Sequence, residues 1–337
     1  DDHAYLLGVC AAFDKDQTLK VEGAPPPELL WLLGAQGLRA YERLTFDLAR
    51  RSQPLSSARE AAGVHVLRDG DLYLLMSASG AGLRGRGSHA HNDALSLEVS
   101  ACGADFIVDP GTYVYTRDAR ARHEFRSTAW HSAVEIDGRE QNTTDERAPF
   151  RIGDEARPRL LRFTREAERD SVSAEHHGYE RLADPITHAR AVTLDKRARL
   201  FLVEDSFSSG GVRAAARAQS HAPASAGARA QTHTFRFFFH AGRAVSARVR
   251  EHFAELYDEQ TGARLLIVPF GIDAAPSVEP RATSRDYGER AASRSLCWTV
   301  EASAPLKVVF ALVPVCAGED EAERLKALEE TMNREGR

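Results

Sequence analysis

The chain has 337 residues, 43% of them hydrophobic, so it can hold more than one average domain and a large buried core. Its net charge of -5 excludes the strongly basic balance that is typical of proteins binding nucleic acid or anionic membranes. No apolar run approaches the ~18–20 residues that a membrane-spanning helix needs.

The first part of the chain, residues 1–51, has a helical pattern. Apolar residues recur at helical spacing in 5–13 and 27–33, and residues 40–46 are expected to continue helically. Two or three helices of this length cannot make a domain alone. The chain also lacks an initiating Met and a signal-peptide pattern, so we expect that its beginning is missing.

From residue 63 the apolar period changes to that of β-strands. Residues 64–67 and 72–76, joined by a short turn, predict a β-hairpin. Further strands are predicted at 95–100, 106–108, 133–137, 159–164, 188–194, 199–205, 233–240, 245–249, 264–268, 296–301 and 306–313. Short strands separated by turns indicate a large antiparallel β-sandwich. A segment rich in Ser, Ala and Gly, 208–231, predicts an exposed loop.

The resulting prediction is a mainly β protein in three regions. Residues 1–58 form a short helical region, residues 59–317 a large antiparallel β-sandwich, and residues 318–337 a charged C-terminal helix. The four cysteines, at positions 10, 102, 297 and 316, lie far apart and form no C-x-x-C pair. They argue against a cysteine zinc site and give only weak grounds for a disulfide.

The densest group of chemically useful side chains is Ser-His-Ala-His-Asn-Asp at residues 88–93. His89 and His91 point to the same side of an extended segment, because side chains alternate along it. The hairpin that follows returns the chain to Asp109 at the same end, and His131, just before a strand, could complete the set. Imidazole nitrogens and a carboxylate brought together suit a zinc ion, or another divalent transition metal.

The alternative is that these histidines only cap a loop with hydrogen bonds. For one histidine alone we would favour that interpretation, but the combination favours a metal site. A second pair, His176 and His177, is adjacent in sequence. Adjacent side chains diverge on a strand, so this pair resembles a metal site only superficially.

Residues 85–142 resemble the heparinase II/III-like polysaccharide lyases. The matching motifs, in order, are Gly-Arg-Gly-Ser-His-Ala-His-Asn-Asp, Val-Asp-Pro-Gly-Thr-Tyr-Val-Tyr-Thr, Phe-Arg-Ser-Thr-Ala-Trp-His and Asp-Gly-Arg-Glu-Gln-Asn. Members of this family pair an N-terminal (α/α) toroid with a C-terminal antiparallel β-sandwich, and they cut acidic polysaccharides by β-elimination. The resemblance therefore implies that residues 1–58 are a remnant of the toroid and that the chain is the C-terminal portion of a lyase.

The resemblance also implies roles for individual residues. His91, Asp109 and His131 would bind one divalent metal ion, zinc by preference, and His89 would face the substrate. The toroid normally supplies a catalytic Tyr and an Asn or His, and nearly all of it is absent from this chain. The missing toroid is therefore an expected partner of the β-sandwich.

Elimination from a uronic acid requires a neutralised carboxylate, a base for the C5 proton and an acid for the leaving glycosidic oxygen. His89 is the first candidate for proton transfer or charge neutralisation, followed by Tyr115 or Tyr113, although both tyrosines could instead pack at the sandwich edge. Arg126 and Asn92 are the candidates for substrate binding. Asn92 could equally orient the histidines or close a turn.

These observations predict a lyase that cleaves a uronic-acid polysaccharide, such as a glycosaminoglycan, an alginate-like chain or an exopolysaccharide. The alternative is a non-catalytic carbohydrate-binding or structural β-sandwich with an architectural metal ion. The resemblance alone favours a periplasmic or secreted protein. The sequence leaves open which polysaccharide is cut, whether this portion is active by itself, and the oligomeric state.

Overall fold

The computed structural model describes residues 4–21, 23–46, 55–82, 86–145, 147–209 and 231–334. The chain divides into two compact units, Asp1–Pro54 and Leu55–Arg337. The loop predicted at 208–231 lies outside the described residues except for positions 208, 209 and 231.

The first unit is helical, with α1 (Ala4–Asp14) and α2 (Glu28–Glu42). Ala11, Leu29 and Tyr41 are buried in a small apolar cluster within this unit. Many of its other large apolar side chains are exposed: Leu6, Leu7, Phe13, Leu30, Trp31 and Leu32. The two helices therefore bury only part of their apolar surface against each other.

The second unit consists of antiparallel strands in three sheets. The five-stranded sheet contains, from edge to edge, β1 (Ser57–Arg59), β2 (Val64–Asp69), β3 (Leu72–Ser77), β4 (Leu97–Ala101) and β5 (Ala104–Ile107). The four-stranded sheet contains β15 (Ser277–Thr283), β16 (Ala291–Ala302), β11 (His233–His240) and β6 (Val134–Ile136).

The eight-stranded sheet is the largest. It contains β12 (Val245–Val249), β13 (Ala254–Asp258), β14 (Arg264–Phe270), β17 (Leu306–Val315), β10 (Leu200–Ser209), β9 (Ile186–Asp195), β8 (Arg169–His176) and β7 (Arg159–Arg165), in that spatial order. Two helices accompany the sheets, α3 (Ala119–Phe125) and α4 (Glu321–Arg334).

The eight-stranded sheet is apolar on both faces. On β10, Phe201 and Val203 belong to a core that includes residues of all three sheets. The alternating neighbours Leu200 and Leu202 point to the other face, where Met332 of α4 packs with them. This arrangement confirms the predicted antiparallel β-sandwich and the C-terminal helix.

Within the described residues, four strands and one helix were not predicted from the sequence. The strands are β1, β8, β13 and β15. On β8 the buried positions alternate, but two of the four, Asp170 and His176, are polar. Its apolar pattern is therefore too weak to identify a strand. Helix α3 is rich in arginine, and its start is capped by Asp118, whose carboxylate accepts from Ala121 N at 3.0 Å.

The sulfur atoms of Cys102 and Cys316 form a disulfide between residues 214 positions apart in sequence. Cys102 follows β4 and Cys316 follows β17, so the bond joins a turn of the five-stranded sheet to the end of a central strand of the eight-stranded sheet. Cys10 and Cys297 are free thiols. Within the described ranges, no helix is long and apolar enough to cross a membrane.

Candidate functional site

Three segments of the β-sandwich meet at one end of the five-stranded sheet. The loop that carries His89 and His91 joins the end of β3 to the start of β4, and Asp109 follows the end of β5. Antiparallel pairing brings these strand ends to the same end of the sheet. His131 joins them because Leu97 N, at the start of β4, donates to the carbonyl of Ser132 at 3.3 Å.

The predicted metal ligands converge. One nitrogen or oxygen atom from each of His91, Asp109 and His131 lies within 4.8 Å of the others. Nδ1 of His91 is 3.2 Å from Nε2 of His131, which is 3.4 Å from Oδ2 of Asp109. Tetrahedral zinc with bonds of about 2.0–2.1 Å separates its ligand atoms by roughly 3.3 Å. These three residues therefore fit a zinc ion.

The proton position of His131 and the charge of His91 are both consistent with metal binding. Nδ1 of His131 lies 2.8 Å from the carbonyl oxygen of Ser127, which can only accept, so this nitrogen carries the proton. Nε2 of His131 then offers its lone pair to the cluster. Burial lowers the pKa of His91 well below its usual value. His91 is therefore neutral, which is the form that binds metals.

Two further carboxyl groups lie close to Asp109. Burial raises the pKa of Glu98 to about 7, with further contributions from Asp109 and Asp105. Burial also raises the pKa of Asp93 to about 6. Neighbouring carboxyl groups disfavour each other's ionisation, because their negative charges repel. A cation at this position would relieve that repulsion.

His89 and Tyr115 form a pair beside the cluster. Nδ1 of His89 lies 3.1 Å from the Tyr115 hydroxyl, and His89 is exposed to solvent. The Tyr115 ring is stacked near Phe150 and Tyr287, with ring centres 5.8 Å and 6.0 Å away. Tyr113 instead packs against another ring, that of the buried Phe125. The structure thus brings Tyr115, rather than Tyr113, to His89.

A cavity of about 620 Å³ opens beside His89. Its lining includes His89, His91, Asp93, Glu98 and Asp109. His89, His91 and Asp109 therefore line one cavity, in which a ligand could contact all three.

The two predicted substrate-binding residues, Asn92 and Arg126, are fully buried, at 0% exposure each. The Asn92 amide donates to Glu140 and accepts from the backbone and side chain of Asn142. Arg126 donates to the carbonyl of Pro149 at 2.9 Å. Direct substrate contact does not fit this burial, because both side chains are already hydrogen-bonded inside the protein. They hold loops in place.

The Asp-Gly-Arg-Glu-Gln-Asn motif was noted in the sequence only as part of the family resemblance. In the structure it holds the loop that carries His89 and His91. Oε2 of Glu140 accepts from Thr128 N and Oγ1 and from Asn92, each at 2.8 Å. Gln141 binds both backbone groups of Ala94, at 2.8 Å and 2.9 Å. The motif thus links the segments that carry His91 and His131.

Sequence reasoning did not single out Arg122 or Phe150 as parts of the site. Arg122 is fully buried and its guanidinium lies over the Tyr115 ring, 5.0 Å from the ring centre. In the sequence it is one of several arginines and has no distinguishing signal. His176 and His177 form separate hydrogen bonds, to His188 and Glu180, and do not form a joint ligand pair.

The chain belongs to the family described as Heparinase II/III-like, C-terminal, whose model matches residues 51–324. Its fold is similar to that of the heparan sulfate lyase HepC from Pedobacter heparinus, with a TM-score of 0.65 and 16% identity. That match covers 95% of this chain and 43% of HepC. A heparinase III with methylated lysines has a TM-score of 0.63 and 16% identity, covering 93% of this chain and 40% of its own.

The chain thus spans less than half the length of these two proteins. At such low identity the structural matches establish the fold alone. No curated protein sequence matches the chain.

Proposed function

We propose that the intact protein is a polysaccharide lyase that cleaves a uronic-acid-containing polysaccharide by β-elimination, and that this chain is its C-terminal portion. The observation that carries the proposal is the His89–Tyr115 pair, 3.1 Å apart, beside the cluster of His91, Asp109 and His131. On this proposal residues 1–58 are the end of a toroid domain of the intact protein.

The chemistry needs one group to remove the C5 proton and one to protonate the leaving oxygen. We assign the first role to the exposed His89 imidazole, whose free nitrogen accepts the proton. The C5–H electron pair forms the C4–C5 double bond as the C4–O bond breaks. The Tyr115 hydroxyl gives its proton to the leaving oxygen, and the His89–Tyr115 hydrogen bond can then return a proton to Tyr115.

His91, Asp109 and His131 would hold one divalent metal ion, with zinc the best fit to two imidazoles and a carboxylate. The ion would supply positive charge next to the cavity and fix the loop that carries His89. His89 is also oriented by its hydrogen bond with Tyr115. The Tyr115 ring is in turn stacked near Phe150 and Tyr287.

Three further expectations belong to this proposal. The substrate is an acidic polysaccharide, because elimination requires the carboxylate of a uronic acid. The protein is periplasmic or secreted, where such polymers are encountered. A disulfide between Cys102 and Cys316 supports an oxidising compartment.

The experiment compares the intact protein with this chain on heparan sulfate, alginate and other uronate polymers. Ultraviolet absorbance reports the unsaturated uronate product. His89→Ala and Tyr115→Phe should each lower kcat by roughly 10²–10⁴-fold, the usual contribution of a general acid or base. His252→Ala, which removes an exposed histidine elsewhere on the sandwich, should leave turnover unchanged.

Tyr115→Phe is the sharper variant, because it keeps the stacked ring and removes only the hydroxyl. An intact protein that binds a uronate polymer but forms no unsaturated product would favour the alternative, a carbohydrate-binding module with an architectural metal ion. Full activity in both variants would reject the assignment of these residues.

A further inference from the structure

Arg122 is a buried cation between the two parts of the candidate site. Its side chain is 0% exposed, and its Nη1 lies 2.8 Å from Nε2 of His91. Its Nη2 donates to the carbonyl of Ser88 at 3.3 Å, and its guanidinium lies over the Tyr115 ring. Among the described residues no carboxylate pairs with it, and its Nε has no hydrogen-bond partner. A buried cation without a countercharge is costly, so its position needs a reason.

The hydrogen bonds around Arg122 fix where the proton of His91 lies. A guanidinium only donates, so Nε2 of His91 must accept from it. A neutral His91 then carries its proton on Nδ1, which is the atom 3.2 Å from Nε2 of His131. That nitrogen of His131 accepts the proton, because the proton of His131 itself is on Nδ1.

A metal ion bound to His91 is incompatible with this pattern. If the ion binds Nδ1, the proton of His91 must be on Nε2, and two donors would face each other across 2.8 Å. If the ion binds Nε2, it occupies the position of the Arg122 contact. Metal-bound histidines usually donate their other N–H to a carboxylate, a carbonyl or water. A guanidinium is the opposite kind of partner.

We propose that Arg122 competes with the metal ion for His91, so that metal binding releases its guanidinium next to Tyr115. Arg122 is thereby a positioning residue. The position of its charge beside the His89–Tyr115 pair depends on whether the metal ion is bound. The role of Tyr115 rests on the proposed function, whereas the competition for His91 rests on hydrogen bonding alone. The tests therefore use zinc and no polysaccharide.

The first test is zinc affinity, measured on the intact protein by competition with a chelator. Arg122→Gln removes the charge and offers an amide oxygen to the His91 Nε2–H, so zinc should bind about 10–100-fold more tightly, the usual range for partners of metal ligands. Arg122→Lys keeps a cationic donor and should stay within about threefold of the wild type. Arg126→Gln, a buried arginine without a contact to His91, is the matched control and should also change little.

Weaker zinc binding in Arg122→Gln, or equal changes in the Gln and Lys variants, would overturn the competition. The second test needs no variant that might misfold. Nitrogen-15 NMR of the histidine rings in the wild-type protein should give His91 protonated on Nδ1 with chelator present. Adding zinc should remove that tautomer. A proton on Nε2 of His91 in the presence of chelator would equally overturn the proposal.

Discussion

The guanidinium of Arg190 and the carboxylate of Asp205 form a fully buried ion pair, with contacts of 2.7 Å and 2.9 Å. The remaining nitrogen of Arg190 donates to the carbonyl oxygens of Leu95 and Ser132, at 2.7 Å and 3.0 Å. These two residues adjoin the segments that carry the candidate metal-binding histidines. One ion pair in the eight-stranded sheet therefore holds both segments in place through hydrogen bonds to their backbone.

We predict that Arg190→Leu lowers the free energy of unfolding by about 3–5 kcal/mol, because the buried Asp205 carboxylate loses its cationic partner and keeps only the hydrogen bond with His188 among the described residues. Urea denaturation measures the loss. Arg159→Gln is the control, since Arg159 pairs with Glu175 but is 66% exposed. The control should cost at most about 1 kcal/mol. Equal costs in the two variants would contradict a special contribution from the buried pair.

A second prediction concerns acid and His65. Burial lowers the pKa of His65, so the folded protein keeps this group neutral where the unfolded chain takes up a proton. Its contribution to stability is complete above the usual His pKa of about 6.5 and is lost as the pH falls below it, by at most ~1.4 kcal/mol per pH unit. His65→Leu removes this titration, and neither ring nitrogen has a hydrogen-bond partner among the described residues.

Urea denaturation at several pH values between about 7 and 5 tests this. The stability of His65→Leu relative to the wild type should rise as the pH falls. His252→Leu replaces an exposed histidine and should follow the pH dependence of the wild type. Parallel pH dependence in His65→Leu and the wild type would show that His65 does not resist protonation.

The sequence predicts those parts of the site that depend on local geometry. Strand periodicity alone predicts that His89 and His91 lie on one side and that the hairpin returns the chain to Asp109. The three residues do lie together at one end of the sheet. Burial of individual polar residues is different. Nothing local distinguishes the buried Arg122 from its exposed neighbour Arg120, because the difference comes from segments that pack on α3.

The same limit applies to pairing over long distances. The disulfide joins residues 214 positions apart, and no sequence spacing predicts such a pair. Strands with polar inward positions, such as β8, are likewise recognised only when the buried ion pairs and hydrogen bonds that satisfy them are known. Lys196, for example, pairs with the buried Asp170 at 2.7 Å.

The disulfide gives a third prediction. Cys102→Ser combined with Cys316→Ser should lower the free energy of unfolding by about 2–5 kcal/mol, because the bond restricts a long loop of the unfolded chain. Peptide mass spectrometry without reductant should find these two cysteines linked. Cys10→Ser removes an exposed free thiol and should change stability little. Quantitative alkylation of both cysteines in unreduced, unfolded protein would contradict the bond.

A fourth prediction concerns metal content. Elemental analysis of intact protein purified without chelator should give close to one zinc ion per chain, and His91→Ala or Asp109→Ala should lose it. Chelator should lower the Tm of the wild type, because an ion that binds only the folded state stabilises it. His177→Ala is the control, since His177 pairs with Glu180 outside the cluster. Unchanged zinc in both ligand variants would reject the assignment.

The last prediction separates substrate contacts from loop contacts. Asn92 and Arg126 are both buried, so their replacement should affect folding rather than binding. Asn92→Ala removes the acceptor of the Asn142 backbone N–H and side-chain amide, and one of the donors to Glu140, which should cost about 1–3 kcal/mol for each buried group left without a partner. Arg126→Gln loses its bond to the carbonyl of Pro149 and should also destabilise the protein.

In kinetic terms, zinc-loaded and folded Asn92→Ala and Arg126→Gln should keep the KM of the wild type within about threefold, because neither side chain reaches the cavity. His89→Ala should instead lose kcat while the melting temperature stays close to that of the wild type, since His89 is exposed. Thermal unfolding and steady-state kinetics on the same preparations distinguish the two classes. A large rise in KM with unchanged stability in Arg126→Gln would restore Arg126 as a direct substrate contact, and the loop at Pro149 would then have to open to admit the polysaccharide.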